Sequence, residues 1–131
     1  MGKKSYPVTA AIRTLRRAKA DFSVHQYPYS DHGGAPHAAE CLDRPLNQVI
    51  KTLVMCRKGG DPLLVLMHGD QEVSTRSLAR QIGARKVQSC EPAQAEKLTG
   101  YQVGGISPFG TRTAMPVYAE ASILEMGQIC I

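Results

Sequence analysis

Apolar side chains that recur every three or four residues predict four helices. In the first, Val8, Ile12 and Leu15 share one face while arginines occupy the others, as in an amphipathic helix. Pro7 or Thr9 suits the start of this helix. Capping signals mark another helix, which Ser74 or Thr75 can begin and Gly83 closes. The predicted helices cover residues 7–20, 37 to 41 or 42, 74 or 75 to 82, and 91 to about 98, with a further helical turn at 120–126.

Continuous or alternating apolar runs predict the strands. Residues 48–56 are β-branched and apolar enough for a central strand, and residues 61–68 form a second. The segment between them, Arg57–Asp61, contains two adjacent glycines and predicts a hairpin turn. Further strands are predicted at 22–27, 84–88, 115–118 and 128–131, and a loop at 28–36. With 131 residues, the chain is predicted to be a single α+β domain.

The segment Leu98–Gly110 contains four glycines and one proline, which fits neither a regular helix nor a central strand. Adjacent glycines such as Gly104 and Gly105 allow neighbouring N–H groups to converge as an anion-binding nest or an oxyanion hole. The alternative is a tight β-turn without a ligand, and composition alone favours neither. Ser107 lies outside a G-x-S-x-G motif and no base can be assigned to it.

Lys51 lies inside the apolar run 48–56. A lysine facing a core costs several kcal/mol unless it is paired or functional. Period-two alternation places it beside Leu53 and Met55, whose apolar character favours a functional lysine over one on a solvent-facing side of the strand.

The net charge of +5 and a pI near 9.2 permit an anionic partner. The basic cluster on the first helix equally fits a solvated face. Four dispersed cysteines and four dispersed histidines predict neither a disulfide framework nor a metal site, although His32 and His37 could meet on a loop. Apolar runs are too short to span a bilayer and no signal-peptide core follows the N-terminus, so we expect a cytoplasmic protein.

Two runs in this order carry a family resemblance. They are Val49-Ile50-Lys51-Thr52-Leu53-Val54 and, about fifty residues later, Thr99-Gly100-Tyr101-Gln102-Val103-Gly104-Gly105-Ile106-Ser107-Pro108-Phe109-Gly110. Together with residues 22–27 and 82–87, they resemble the YbaK/EbsC family of aminoacyl-tRNA deacylases, which is related to the inserted editing domain of bacterial prolyl-tRNA synthetase. The similarity covers nearly the whole chain and implies a mainly antiparallel sheet or partial barrel with surrounding helices.

The resemblance implies hydrolysis of mischarged tRNA in trans, typically Cys-tRNA(Pro), without metal or cofactor and with prolyl-tRNA synthetase as a candidate partner. Lys51 matches the family lysine that holds the terminal adenosine phosphate or the aminoacyl ester. Gly104 matches the first glycine of a G-x-x-x-P loop that binds the substrate carbonyl, and Gly105 is expected to add a second N–H. The residues expected to line the pocket are Tyr27, Thr52, Ile106, Ser107, Pro108 and Phe109.

In this family the attacking group is thought to come from the substrate, which fits the missing base. Family members continue past residues 128–131 into a further strand with an aspartate near the pocket. We therefore expect residues 1–131 to form one domain that ends before that strand. The alternative function is a non-catalytic tRNA- or nucleotide-binding module of the same fold, which predicts salt-dependent tRNA binding without turnover.

Overall fold

Four strands form one mixed sheet in the computed structural model, which describes residues 6–30 and 33–131. The strands are β1 (Ile50–Arg57), β2 (Pro62–His68), β3 (Val87–Ser89) and β4 (Val117–Ala119). Their order in the sheet is β3-β1-β2-β4. β1 pairs antiparallel with β2 and β3, whereas β2 pairs parallel with β4. The predicted α+β class and the predicted hairpin between the two central strands are confirmed.

Four α-helices surround the sheet: α1 (Ala10–Arg17), α2 (Gly34–Leu42), α3 (Thr75–Ile82) and α4 (Pro92–Thr99). The side chains of Thr9 and Ser74 accept the capping hydrogen bonds of α1 and α3, and Gly83 closes α3 at φ 72°, as predicted. α1 is shorter than the predicted 7–20, because the backbone leaves the helix after Arg17 and reaches φ 56° at Lys19. None of the described helices is long and apolar enough to cross a membrane.

The predicted strand at residues 22–27 is wrong. Phe22 and Val24 are half-buried, which accounts for the alternating pattern, but no described strand pairs with this extended segment. The predicted strand at 128–131 is reduced to one bridge between Val49 and Cys130. α2 begins three residues earlier than predicted, within the loop assigned to 28–36. The suggested meeting of His32 with His37 lies outside the described residues.

The sheet has an apolar core on each face. On one face, Met55, Leu63 and Val65 pack with Ala79 of α3; we call this the α3 face. On the other, Val54 and Leu64 pack with Ala95 of α4; we call this the α4 face. Because side chains alternate along a strand, Thr52 shares the α4 face with Val54, and Lys51 is directed with Met55 toward the α3 face.

His68 ties the end of β2 to two other segments. Its buried ring lies with Nδ1 2.6 Å from the carbonyl oxygen of Asn47 and Nε2 2.8 Å from Oγ of Ser122. A carbonyl can only accept, so Nδ1 carries the proton. This histidine is engaged in holding the 3-10 helix Ala121–Glu125 against the sheet.

Candidate functional site

A cavity of about 510 Å³ lies against an open edge of β1. β3 pairs with Met55–Arg57, and no other described strand pairs with the first half of β1 on that side. Five consecutive residues, Ile50–Val54, line the cavity. Such a continuous run is expected where a ligand space borders the edge of a strand, because both faces and the backbone are then accessible. The remaining wall comes from α2, α4, the glycine-rich loop and the residues His25, Tyr27, Val49, Ser89, Cys90, Cys130 and Ile131.

Peptide groups of β1 face this cavity without a strand partner. The N–H of Ile50 donates to the carbonyl of Cys130 at 2.8 Å, and the carbonyl of Val54 accepts from the N–H of Cys90 at 3.0 Å. In an antiparallel strand, the N–H and carbonyl groups of every second residue point to the same edge. Thr52 therefore shares an edge with Ile50 and Val54, and its N–H and carbonyl lie between these two hydrogen bonds. Neither has a backbone partner among the described residues. This open peptide group is available to a polar ligand.

The side chain of Thr52 adds a second unpaired group. Its hydroxyl is shielded from solvent and has no hydrogen-bond partner among the described residues. A buried hydroxyl without a partner costs about 1–3 kcal/mol. Thr52 therefore places an unsatisfied hydroxyl beside an unsatisfied peptide group at the cavity wall.

Lys51 lies at the margin of the cavity and is half-buried. Alternation directs its stem toward the α3 face, yet the residue reaches the cavity because β1 is uncovered at this point. Its ammonium group makes no hydrogen bond or ion pair with the described residues. Among the described lining residues it is the only lysine or arginine, and none is acidic. The cavity therefore favours a ligand with negative or developing negative charge.

The glycine-rich loop is closed by hydrogen bonds at its base. The N–H of Arg112 donates to the carbonyl of Thr99 at 3.2 Å, and the N–H of Thr113 to that of Leu98 at 2.9 Å. Inside the loop, the hydroxyl of Tyr101 donates to the carbonyl of Phe109 at 2.6 Å. These hydrogen bonds join the two ends of the loop and brace its interior.

Within this loop, Gly104 and Gly105 differ in what their N–H groups can do. Gly104 adopts φ 94°, a conformation that favours glycine, and its N–H has no partner among the described residues. The N–H of Gly105 donates to the carbonyl of Gln102 at 2.8 Å. The prediction that Gly105 supplies a second free N–H is therefore corrected, because that group closes a turn. The N–H groups of Ile106 and Ser107, by contrast, are unpaired within the described chain.

Two of the predicted pocket residues do not line the cavity. Pro108 and Phe109 are absent from its described wall, whereas Ile106 and Ser107 are present. Phe109 instead braces the loop, since its N–H donates to Oγ of Ser107 at 3.1 Å and its carbonyl accepts from Tyr101. Neither residue therefore lies on the wall of this cavity, contrary to the expectation.

Tyr27 lines the cavity and meets the ring of His37 edge-on, with centroids 5.6 Å apart. His37 is itself held by a 2.6 Å contact between Nε2 and the carbonyl of Pro28. Burial raises the pKa of Tyr27 above its ordinary value, and the nearby Cys41 thiol acts in the same direction. Tyr27 therefore stays a neutral phenol at physiological pH and offers both a donor and an acceptor.

Tyr29 was not predicted as a site residue. Its hydroxyl donates to the carbonyl of Val103 at 3.4 Å, and its ring lies where a Cβ on Gly104 would contact it at 3.8 Å. Tyr29 thus covers the loop beside the unpaired Gly104 N–H. The only sequence signal was an aromatic residue in a loop, which does not reveal a contact across 74 positions.

Cys90 is another lining residue that sequence patterns did not reveal. Burial, followed by a hydrogen bond with Cys56, raises the pKa of its thiol to about 11. The thiol is therefore protonated and a weak nucleophile near neutral pH. Within residues 6–30 and 33–131, no three His, Cys, Asp or Glu side chains are grouped as metal ligands.

Comparison with known proteins places this geometry in a family. Residues 33–131 match the family described as the aminoacyl-tRNA editing domain. EbsC of Enterococcus faecalis, described as a candidate Cys-tRNA(Pro)/Cys-tRNA(Cys) deacylase, is 32% identical over 130 residues, which cover 98% of this chain and 79% of EbsC.

Two further relatives agree. The multifunctional Ser/Thr-tRNA deacylase ProXp-y of Escherichia coli is 28% identical over 128 residues, covering 95% of this chain and 75% of that protein. A crystal structure described as a candidate trans-editing enzyme for prolyl-tRNA synthetase superposes with a TM-score of 0.68 and 25% identity, covering 77% of this chain and 63% of that one. The chain therefore belongs to the aminoacyl-tRNA editing domain family.

Proposed function

We propose that this protein is an aminoacyl-tRNA deacylase that hydrolyses mischarged tRNA in trans, with Cys-tRNA(Pro) as the leading substrate. The enzyme class follows from membership of the editing family, and two of its relatives are named as tRNA deacylases. The preference for cysteine and for tRNA(Pro) is supported by the similarity to EbsC. On this proposal the reaction takes place in the cytoplasm, where aminoacyl-tRNA is used.

One observation carries the proposed mechanism. The cavity brings Lys51 together with the segment Gly104–Ser107, although more than fifty residues separate them in the chain. Lys51 supplies a positive charge, and Gly104, Ile106 and Ser107 supply N–H groups that have no partner in the described part of the chain. An ester carbonyl between them would develop its negative charge close to both.

The chemistry asks little more of the protein than position and electrostatics. Water adds to the carbonyl carbon, the oxyanion accepts hydrogen bonds from the N–H of Gly104 and from those of Ile106 or Ser107, and the ribose oxygen then leaves with a proton. An acyl ester is already activated, so orientation and oxyanion stabilisation supply most of the remaining rate enhancement. A hydroxyl or thiol of the substrate orients the attacking water, which removes the need for a protein base.

Lys51 is proposed to anchor the terminal adenosine phosphate or the ester oxygen. Tyr27, Thr52, Ile106 and Ser107 would line the amino-acid side of the pocket. Prolyl-tRNA synthetase is the partner expected to present the substrate, because a structural relative is described in relation to that enzyme.

The test is release of amino acid from a panel of charged tRNAs, comprising Cys-tRNA(Pro), Ala-tRNA(Pro), Ser-tRNA and Thr-tRNA, by wild type and Lys51→Ala. We expect Cys-tRNA(Pro) to be cleaved fastest and Lys51→Ala to reduce kcat/KM by about 100-fold, or about 2.7 kcal/mol. Lys97→Ala is the matched control, since Lys97 is an exposed lysine on α4 that does not line the cavity.

Two results would contradict the proposal. Equal rates for wild type and Lys51→Ala would remove the role assigned to Lys51. Tight, salt-dependent tRNA binding without turnover of any member of the panel would favour the non-catalytic binding module instead.

A further inference from the structure

We propose that Lys58 and Lys86 form a phosphate-binding site for the acceptor strand of tRNA, separate from the cavity that holds the ester. The proposal rests on the deacylase function. A second cavity, of about 350 Å³, lies at the hairpin between β1 and β2, and both lysines line it together with Gly59 and Gly60.

The two lysines lie directly opposite each other. The N–H of Lys58 donates to the carbonyl of Lys86 at 2.9 Å, which continues the antiparallel ladder of β1 and β3 by one pair. Like charges in directly opposed positions repel and destabilise the sheet. Both side chains are exposed, and neither forms an ion pair with a carboxylate among the described residues. An anion between the two ammonium groups would relieve this repulsion.

The turn beside the lysines lets an anion approach closely. Gly59 and Gly60 both adopt φ 106°, and a Cβ on either would meet nothing within 4 Å. The N–H of Gly60 closes the turn on the carbonyl of Arg57 at 2.9 Å. The N–H of Gly59 is unpaired within the described chain, so the turn adds a backbone donor to the two ammonium groups. Backbone N–H groups and lysine together are a common way to hold a phosphate.

Both cavities border the side of β1 that faces β3. From the hairpin toward the ester cavity, three pairs of facing residues follow one another. They are Lys58 with Lys86, Cys56 with Gln88, and Val54 with Cys90, and the last pair lies at the wall of the ester cavity. Lys58 lies six positions after Thr52, or about 20 Å at 3.4 Å per residue. That span equals about six nucleotides of a stacked strand. An RNA strand with its aminoacylated end in the first cavity therefore reaches the lysines through the nucleotides that precede it.

The basic residues of α1 are less suited to this role. Arg13 donates to the carbonyl of Val8, and Arg16 donates to the hydroxyl of Tyr6. Neither arginine lines either of the two cavities. The basic cluster of α1 is therefore partly engaged in local hydrogen bonds. The side chains of Lys58 and Lys86 make no such bond with the described residues.

The first test is binding of uncharged tRNA at several salt concentrations by the double variant Lys58→Gln/Lys86→Gln. We expect affinity to fall about tenfold near 0.1 M salt and the slope of log K against log[salt] to become shallower by about one to two. The control is Arg76→Gln/Arg80→Gln, which removes the same charge from exposed positions on α3, on the opposite face of the sheet. It should leave the slope unchanged. Because two opposed charges are removed, the lysine variant should be at least as stable as wild type.

The second test compares substrates of different length. With full-length charged tRNA, the lysine variant should raise KM about tenfold and leave kcat unchanged, while cleavage of an aminoacylated terminal adenosine should match wild type. An unchanged salt slope, or equal loss with both substrates, would overturn the proposal. If no substrate is cleaved by wild type, the deacylase function fails, whereas the binding measurement still decides whether the lysines hold tRNA.

Discussion

Gly104→Ala is the sharpest perturbation of the proposed oxyanion site. Gly104 adopts φ 94°, and an L-residue held in that region costs about 1–3 kcal/mol. The added Cβ would meet the Tyr29 ring no closer than 3.8 Å, an ordinary contact, so the penalty is conformational and not a clash. Changing φ at Gly104 to relieve this penalty rotates the peptide that carries the Gly104 N–H. Losing one oxyanion donor lowers kcat by about 100- to 1000-fold.

Gly105→Ala is the matched control at the neighbouring position. Gly105 is not in the left-handed region, and a Cβ there would lie 3.6 Å from the carbonyl oxygen of Gln102, an ordinary separation. Its N–H already closes the turn to Gln102 and remains there after substitution. We expect a change in the free energy of unfolding of about 0.5 kcal/mol or less and little change in rate.

The measurements are thermal unfolding and single-turnover hydrolysis of charged tRNA. A loss of about 2 kcal/mol for Gly104→Ala lowers the Tm of a domain of this size by about 8 °C. The same variant should lose kcat, while substrate binding is largely retained. If both variants lose activity equally, or if Gly105→Ala loses more, the assignment of the Gly104 N–H as the donor is refuted.

Two further predictions concern buried groups. Thr52→Val removes a hydroxyl that has no partner among the described residues and should raise the free energy of unfolding by about 1 kcal/mol. Thr99→Val removes hydrogen bonds with Ala95 and Tyr101 and should lower the free energy of unfolding by about 1–2 kcal/mol. Equal destabilisation of the two variants in urea titrations would mean that the Thr52 hydroxyl is satisfied. Folding raises the pKa of the Cys90 thiol to about 11. The contribution of the protonated thiol to the free energy of unfolding is therefore complete below the ordinary thiol pKa and is lost as pH rises from about 9 to 11. Cys90→Ala should therefore flatten the decline of the free energy of unfolding in that window, and an unchanged slope would contradict the shift.

Sequence patterns predicted the elements whose signals are local. The caps at Thr9, Ser74 and Gly83 and the hairpin after β1 depend on residues a few positions apart, so composition and spacing suffice. The segment 22–27 has the alternation of a strand but pairs with no strand in the described part of the chain. Pairing is a long-range property that alternation does not encode.

The site shows the same division between local and long-range information. Lys51 and the glycine loop were identified as candidates because a lysine in an apolar strand and consecutive glycines are locally unusual. The difference between Gly104 and Gly105 depends on one turn hydrogen bond, and the position of Tyr29 on a contact across 74 residues. Neither leaves a signature in spacing, which is why Gly105, Pro108 and Phe109 needed correction.

The uncovered edge of β1 also bears on the colloidal behaviour of the protein. A strand with unpaired peptide groups, such as that of Thr52, is a template for pairing with a second copy of the chain. A charged side chain at such an edge, lysine above all, opposes that pairing. Lys51 is in this position, so we expect its replacement by alanine to promote association at high concentration as well as to slow catalysis. Light scattering, measured alongside the kinetics of Lys51→Ala, separates association from slower catalysis. Lys51→Gln keeps a polar side chain at the edge, so we expect this variant to associate less than Lys51→Ala.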